Sequence, residues 1–166
     1  FLGNKLLSDT INKLNLLLLY MSYKGIYRPS NPKKYKGDSQ NIIYRSLWER
    51  KFMNYCDLNE NILEWASEEF WIPYLDPTTN RVRRYFPDFF IKYKDKDSNI
   101  RRSVIEVKPM RETLEPKATK GKSRKTMINE SMTYVKNQAK WKAAKEFCAD
   151  RKLEFKIMTE KELGIR

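Results

Sequence analysis

The sequence predicts one α/β domain in which a mixed four-stranded sheet is flanked by helices. The chain has 166 residues, enough to bury one core and too few for two domains of ordinary size. A helical pattern comes first, three strand-like segments follow, and a long helical segment then precedes a fourth strand. This order implies a mixed sheet with helices packed against it.

The first helix is predicted over residues 46–57, because Ser46 and Glu49 have the spacing of a capping box. Residues 69–75 and 82–93 are rich in aromatic and β-branched residues, and the turn sequence between them indicates a hairpin. These two segments supply the first two predicted strands.

Residues 102–108 form the third predicted strand. Proline, glycine and many cations in residues 109–126 indicate a long, mobile basic loop of the kind usually kept for function. A helix over residues 129–150 then carries an apolar stripe made of Tyr134, Trp141, Ala144 and Cys148. Residues 153–158 form the fourth strand, and residues 159–162 form a final short helix.

Before the first helix, the chain has two further segments. Met21 opens a stretch that resembles the beginning of a protein chain, so residues 1–20 are expected to be an extension outside the fold. Residues 21–43 contain several lysines with little aliphatic periodicity, which predicts an extended basic arm that adds little to the core and lies on phosphates. The folded domain is then expected to comprise residues 44–166.

The charge balance indicates a polyanionic partner. Lysine and arginine number 34 against 21 acidic residues, which gives a net charge of +13. Such a charge attracts nucleic acid, although a basic structural protein would show the same balance. No stretch approaches the roughly 20 apolar residues that span a bilayer, so no membrane partner is expected.

Histidine is absent, and this narrows the possible chemistry. Ser-His-Asp triads, histidine-based nucleases and histidine-ligated zinc sites are all excluded for this chain. The two cysteines, Cys56 and Cys148, are too few for a zinc cluster and are expected to pack in the core. Any hydrolysis would therefore depend on carboxylates, lysine and a metal ion.

Asp88 lies in an apolar segment, Phe86-Pro-Asp-Phe-Phe90, that is otherwise typical of a buried strand. An aspartate is disfavoured there by β propensity and by the cost of desolvating its charge. A Pro-Asp turn would also explain it, but the apolar residues that follow argue against a turn. Asp88 is therefore a candidate site residue.

Glu106 and Lys108 stand two residues apart in the segment Val104-Ile-Glu-Val-Lys108, so a strand would place both side chains on one face. A solvent-exposed Glu/Lys face is the common alternative. Together with Asp88, however, they form a carboxylate pair able to hold a hard cation through oxygen, with a lysine beside it.

Pro87-Asp88 and Glu106-Val107-Lys108 resemble the motif of the PD-(D/E)XK nuclease superfamily, whose core also has the predicted order of elements. The resemblance implies a restriction endonuclease-like fold and a Mg²⁺-dependent DNA endonuclease with one or two ions. It implies that Asp88, Glu106 and the Val107 carbonyl hold metal and that Lys108 acts on the water.

Two further residues are candidate members of this site. Members of the superfamily often bring a metal-binding or metal-orienting glutamate from the first helix, which points to Glu49, although the capping box explains that residue equally well. Glu68 and Glu69 are weaker candidates for the same role. Gln138 interrupts the apolar stripe of the long helix, so its amide faces either a polar site or solvent.

Seven segments are spread over most of the chain past Met21: SNPKKYKGD, IIYRSLWERKFM, LEWASEEFWIPY, RVRRYFPDFFIKYK, VIEVKP, TYVKNQAKWKAAKEFC and FKIMTEKELG. Together they are similar to the head completion nucleases of T-even-type tailed phages. The resemblance implies a late role in virion assembly, with head or portal proteins as partners and the host cytoplasm or the virion as location. A transposon-type or repair endonuclease, and a catalytically silent DNA-binding virion protein, are the alternatives.

The cations expected to contact DNA come from the basic arm, the start of the first helix and the basic loop. They are Lys33, Lys34, Lys36, Arg45, Lys117, Lys120, Lys122, Arg124 and Lys125.

Overall fold

The computed structural model describes residues 23–119 and 121–164. Residues 1–20, expected to be an extension, lie outside the described residues, and so does Lys120. In chain order the elements are β1 (Gly25–Tyr27), a 3₁₀ turn (Pro32–Lys34), β2 (Ile42–Tyr44), α1 (Leu47–Leu58), β3 (Ile62–Ser67), β4 (Ile72–Asp76), β5 (Arg81–Tyr85), β6 (Phe89–Lys94), β7 (Ile100–Val107), α2 (Met110–Thr113), α3 (Arg124–Asp150) and β8 (Glu154–Met158).

The predicted mixed four-stranded sheet is confirmed, with the spatial order β3-β6-β7-β8. β6 runs antiparallel to both β3 and β7, whereas β8 runs parallel to β7. The parallel pair is joined through α3, because a parallel connection needs a crossover. The core lies where α1 meets this sheet and includes Trp48, Phe52, Trp65 and Phe89.

The composition of the sheet differs from the prediction at one edge. The first strand of the sheet is β3, in a segment where no strand was predicted, and the predicted hairpin forms a separate two-stranded sheet of β4 and β5. The predicted single strand over residues 82–93 is divided at Pro87, because proline has no N–H to donate to a ladder. Asp88 is thus at a bend before β6 and not inside a strand.

The segment before α1 is not an extended arm, and the expectation that it adds little to the core is wrong. Tyr27, Tyr35 and Ile42 are buried in the main core. The fully buried carboxylate of Asp57 on α1 accepts hydrogen bonds from the Ser30 and Asn31 amides at 2.7 and 3.0 Å. The packed unit of the described residues therefore begins well before residue 44.

The long helix α3 begins at Arg124, which is earlier than predicted, and α2 occupies part of the predicted loop. Of the predicted stripe, Trp141, Ala144 and Cys148 are buried, whereas Tyr134 is only partly buried. Residues 160–164 form a turn in place of the predicted short helix, and Glu162 accepts hydrogen bonds from both the amide and the hydroxyl of Thr159. Within the described part of the chain, no helix is long and apolar enough to cross a membrane.

Candidate active site

Asp88 lies at the bend that leads from Pro87 into β6. Its Oδ2 atom accepts a hydrogen bond of 2.7 Å from the Val107 amide at the end of β7. Burial and the negative charge of Glu106 raise the pKa of Asp88 well above its ordinary value, and Lys108 opposes this shift. The neighbouring strand therefore fixes the position of Asp88, and the positive charge of Lys108 only partly offsets the cost of ionising the aspartate there.

Glu106 is buried on β7, beside Asp88. Lys108 Nζ lies 3.4 Å from Glu106 Oε1, so the two side chains converge as the period of two predicted. Glu106 Oε2 accepts a hydrogen bond of 2.6 Å from the hydroxyl of Tyr85. Because Tyr85 is buried on β5, the separate hairpin contributes directly to the orientation of a candidate metal ligand.

Ser46 caps α1 as its spacing with Glu49 predicted, but the Glu49 carboxylate reaches the Arg45 amide and not the Ser46 amide. The Glu49 carboxylate accepts hydrogen bonds from the Ser46 hydroxyl at 2.9 Å and from the Arg45 amide at 2.8 Å, and the Glu49 amide donates to Ser46 Oγ. Burial raises the pKa of Glu49, and its charge in turn raises the pKa of Asp88. The helix cap thus lies within electrostatic reach of the site.

The two weaker candidates near Glu49 have different partners. Glu69 accepts a hydrogen bond of 2.7 Å from the Tyr35 hydroxyl, which ties it to the segment before α1. Glu68 forms an ion pair with Arg45, and its amide donates to the Asp88 carbonyl at 3.3 Å. Of these two, only Glu68 is linked to the bend that carries Asp88.

The donor set can be compared with what Mg²⁺ requires. Among residues 23–119 and 121–164, no three acidic or cysteine side chains cluster closely enough to hold an ion on their own. Mg²⁺ is usually held by one or two carboxylates, with substrate phosphate and water completing its shell. The neighbouring carboxylates of Asp88 and Glu106 fit that pattern as a pair of oxygen donors.

Comparison with known proteins agrees with this geometry. The family described as TnsA-like endonuclease N terminal matches residues 59–160. The chain belongs to this endonuclease family. The match contains Asp88, Glu106 and Lys108, whereas Glu49 precedes it.

A curated relative covers more of the chain. The head completion nuclease of Enterobacteria phage T4 is 38% identical over 143 residues, which span 84% of this chain and 93% of that protein. Both resemblances that the sequence motifs indicated, to the PD-(D/E)XK nucleases and to the phage head completion nucleases, are confirmed.

Gln138 on α3 is exposed, so of its two alternatives the amide reaches solvent, and the neighbouring Asn137 is the buried polar residue of this turn. Lys140, also on α3, lies over the rings of Tyr74 and Tyr85 at 5.9 and 5.7 Å. Burial lowers the pKa of Lys140, while the charges of Glu106 and Asp88 raise it.

Sequence reasoning missed Tyr85 and Lys140 for different reasons. The alternation of β5 places Tyr85 on an inner face, but its contact with Glu106 comes from a separate sheet and leaves no local pattern. Lys140 was not identified because a sparse apolar stripe defines the rotational position of a long helix poorly.

The predicted DNA-contacting cations have several roles in the structure. Lys34 Nζ donates to the carbonyls of Asp57 and Asn59, both at 2.8 Å. It therefore supplies a hydrogen-bond donor to backbone carbonyls at the C-terminal end of α1. Lys36 lies 3.8 Å from a Glu64 oxygen. Arg45 remains near the site through its pair with Glu68.

The other predicted cations lie on the surface. Lys122 pairs with Glu130 at 2.7 Å, at the end of the loop before α3. The remaining exposed members of the predicted set are Lys33, Lys117, Arg124 and Lys125.

Proposed function

We propose that this chain is a Mg²⁺-dependent endonuclease that hydrolyses phosphodiester bonds of DNA during phage head completion. The observation that carries the proposal is the convergence of Asp88, Glu106 and Lys108 at one end of the sheet, in a chain that belongs to an endonuclease family. DNA as the substrate agrees with the net charge of +13.

Asp88 and Glu106 would hold Mg²⁺, together with the Val107 carbonyl, and Glu49 would orient a second ion. When bound, the ion supplies positive charge to the scissile phosphate and lowers the pKa of the attacking water. The Val107 amide and the Tyr85 hydroxyl fix the two carboxylates before any ligand arrives, so little reorganisation is required.

The lysines of the site supply the remaining chemistry. Lys108, held beside Glu106, orients the water and offsets the negative charge that develops on the phosphate. Lys140 forms no ion pair within the described residues, so its ammonium group is available to a phosphate oxygen that enters the site. Two lysines thus face a substrate that brings additional negative charge.

The biological setting is proposed from the phage relative. In that setting the chain acts in the cytoplasm of the infected host or on the virion, on DNA at the portal end of a filled head, with head or portal proteins as partners. A transposon-type or repair endonuclease has the same site, and copurification with filled heads distinguishes the two. A catalytically silent DNA-binding protein would lack an acid or the lysine of the motif, and this chain has all three residues.

The test is cleavage of linear, nicked and branched DNA with and without Mg²⁺. Asp88→Asn and Lys108→Ala should each reduce cleavage by more than about a thousandfold, because the first removes a carboxylate that would hold Mg²⁺ and the second removes the charge that offsets the developing negative charge. Asp97→Asn and Lys96→Ala are matched controls, since both residues are exposed near the turn that joins β6 to β7. Undiminished cleavage by either site variant would contradict the proposal.

A further inference from the structure

The β4–β5 hairpin has one face packed against α3 and another that is exposed. Along β4, Ile72, Tyr74 and Asp76 are buried, while the residues between them are exposed. The strand register pairs Pro73 with Arg84 and Leu75 with Val82. We call the exposed side the outer face, and its residues are Trp71, Pro73, Leu75, Val82, Arg84 and Phe86.

The outer face is unusually apolar for a strand surface in water. Exposed sheet faces normally carry polar residues, yet Trp71 is 47% exposed and Phe86 is 43% exposed. Leu75 and Val82, near the turn of the hairpin, are exposed to an even greater degree. A contiguous apolar surface of this kind marks a binding site.

The position of the outer face indicates what it binds. Phe86 precedes Asp88, the proposed metal ligand, by two residues. Tyr85, the last residue of β5, is on the inner face and donates a hydrogen bond to Glu106. The Glu68 amide, three residues before Trp71, donates to the Asp88 carbonyl at 3.3 Å, so the Trp71 end of the hairpin adjoins the bend that carries Asp88. The Leu75 end, at the turn, lies farther along the hairpin from Asp88.

The chemistry at the Trp71 end suits bases rather than a protein partner. The Arg84 guanidinium lies 5.1 Å from the centre of the Trp71 ring. Aromatic rings interleaved with arginine bind single-stranded nucleic acid, because every base has a face that can stack and every phosphate is negative.

We propose that Trp71, Arg84 and Phe86 form a stacking surface for unpaired DNA bases beside the cleavage site. The proposal rests on the proposed function for its choice of DNA as the ligand. It assigns a substrate class to the site: DNA that contains a single-stranded segment next to the bond that is cut. Fully paired DNA lacks accessible base faces and does not use this surface.

Tryptophan fluorescence offers a direct test in EDTA, where cleavage does not occur. Trp48, Trp65 and Trp141 are buried, so within the described residues Trp71 is the tryptophan that a bound base can reach. An oligothymidylate of about 12 nucleotides should quench the emission. Trp71→Phe should abolish the quench and retain most of the affinity, because phenylalanine still stacks.

Alanine variants test the same surface by affinity. Trp71→Ala and Phe86→Ala should each weaken oligothymidylate binding by about tenfold, the usual loss when one stacked base loses its platform. Leu58→Ala, on α1, and Ile100→Ala, on β7, are matched controls, because both side chains are similarly exposed and lie outside the outer face, and they should bind as the wild type does. All four residues are exposed, so the melting temperature should hardly change.

Two results would overturn the proposal. One is wild-type affinity for oligothymidylate in both Trp71→Ala and Phe86→Ala. The other is self-association of the protein that Leu75→Ala and Trp71→Ala abolish together, because the outer face would then be a protein interface. A wild type that cleaves no DNA but still shows the Trp71-dependent quench would disprove the proposed catalysis and leave this surface supported.

Discussion

Asp88 occupies a position where ionisation is costly. An aspartate in the unfolded chain has a pKa of about 3.9, whereas burial and the charge of Glu106 raise the pKa of Asp88 in the folded protein. The folded state therefore holds this proton more tightly than the unfolded state. The stability that this group contributes is complete below the unfolded pKa and is lost as pH rises through the folded pKa.

This shift predicts how stability responds to pH and to metal. In EDTA, the free energy of unfolding should fall as pH rises from about 4 through the raised pKa of Asp88. Asp88→Asn should flatten that fall in part, since the pKa of Glu49 is raised in the same direction. Mg²⁺ should restore stability at neutral pH, because it favours the ionised carboxylates. Chemical denaturation across this pH range is the measurement, and identical slopes in both proteins would disprove the account.

Tyr85 is a positioning residue, since it acts through Glu106. Tyr85→Phe removes the hydroxyl that donates to Glu106 Oε2 at 2.6 Å. A hydrogen bond to a charged group contributes about 1.5–3 kcal/mol, so cleavage should fall by about 10- to 100-fold. Half-saturation by Mg²⁺ should also rise, an effect that a simple packing defect would not produce. Tyr74→Phe, on the same hairpin, is the control and should retain activity.

At the scale of elements, Asp57 connects α1 to the segment that precedes it. Its side chain accepts two amide hydrogen bonds from residues 30 and 31, and its carbonyl accepts one from Lys34. Asp57→Ala should lower the free energy of unfolding by about 3 kcal/mol, because buried donors lose their partner. Glu60→Ala, on the exposed surface just after α1, is the control. Equal stability of the two variants in urea denaturation would show that this segment is held by other contacts.

The elements that sequence reasoning found are those with local signals. The turn of the β4–β5 hairpin and the N-terminal cap of α1 are each determined by a few consecutive residues. Edge strand β3 was missed because its apolar and polar residues alternate only weakly and because its partner, β6, lies later in the chain. The packing of the first segment was missed because Asp57, which holds it, lies outside that segment.

For the whole molecule, the question is where the charge of +13 meets DNA. The segment that joins α2 to α3, together with the first turn of α3, remains the predicted contact, whereas Lys34 has a structural role. Replacing Lys117, Arg124 and Lys125 with glutamine should make the slope of log affinity against log salt shallower by up to about 2.7, at about 0.9 per phosphate contact.

The measurement is a salt titration on a duplex in EDTA. The control replaces Lys94, Lys96 and Lys145 with glutamine, since these residues are exposed and lie outside that region. If both triple variants change the slope equally, Lys117, Arg124 and Lys125 do not form a specific contact with DNA. The positive charge of the whole surface then attracts DNA without a preferred position.

The candidate site was predictable to the extent that strand geometry alone defines it. Glu106 and Lys108 share a face because side chains alternate along any strand. Asp88 lies near them because β6, which it precedes, pairs with β7. Lys140 was not predictable, because its position depends on how α3 crosses the hairpin. That crossing is set by packing between segments far apart in the chain.

The parallel pairing of β7 with β8 has a consequence for the order in which the molecule assembles. β6 and β7 meet through a short turn, which closes at small entropic cost and brings Asp88 beside Glu106 early. β8 joins β7 only after the chain has travelled through the whole of α3, so this contact has a much larger sequence separation. Asp88, Glu106 and Lys108 therefore meet through a local hairpin, whereas Lys140, on α3, reaches the candidate site only across the longer connection.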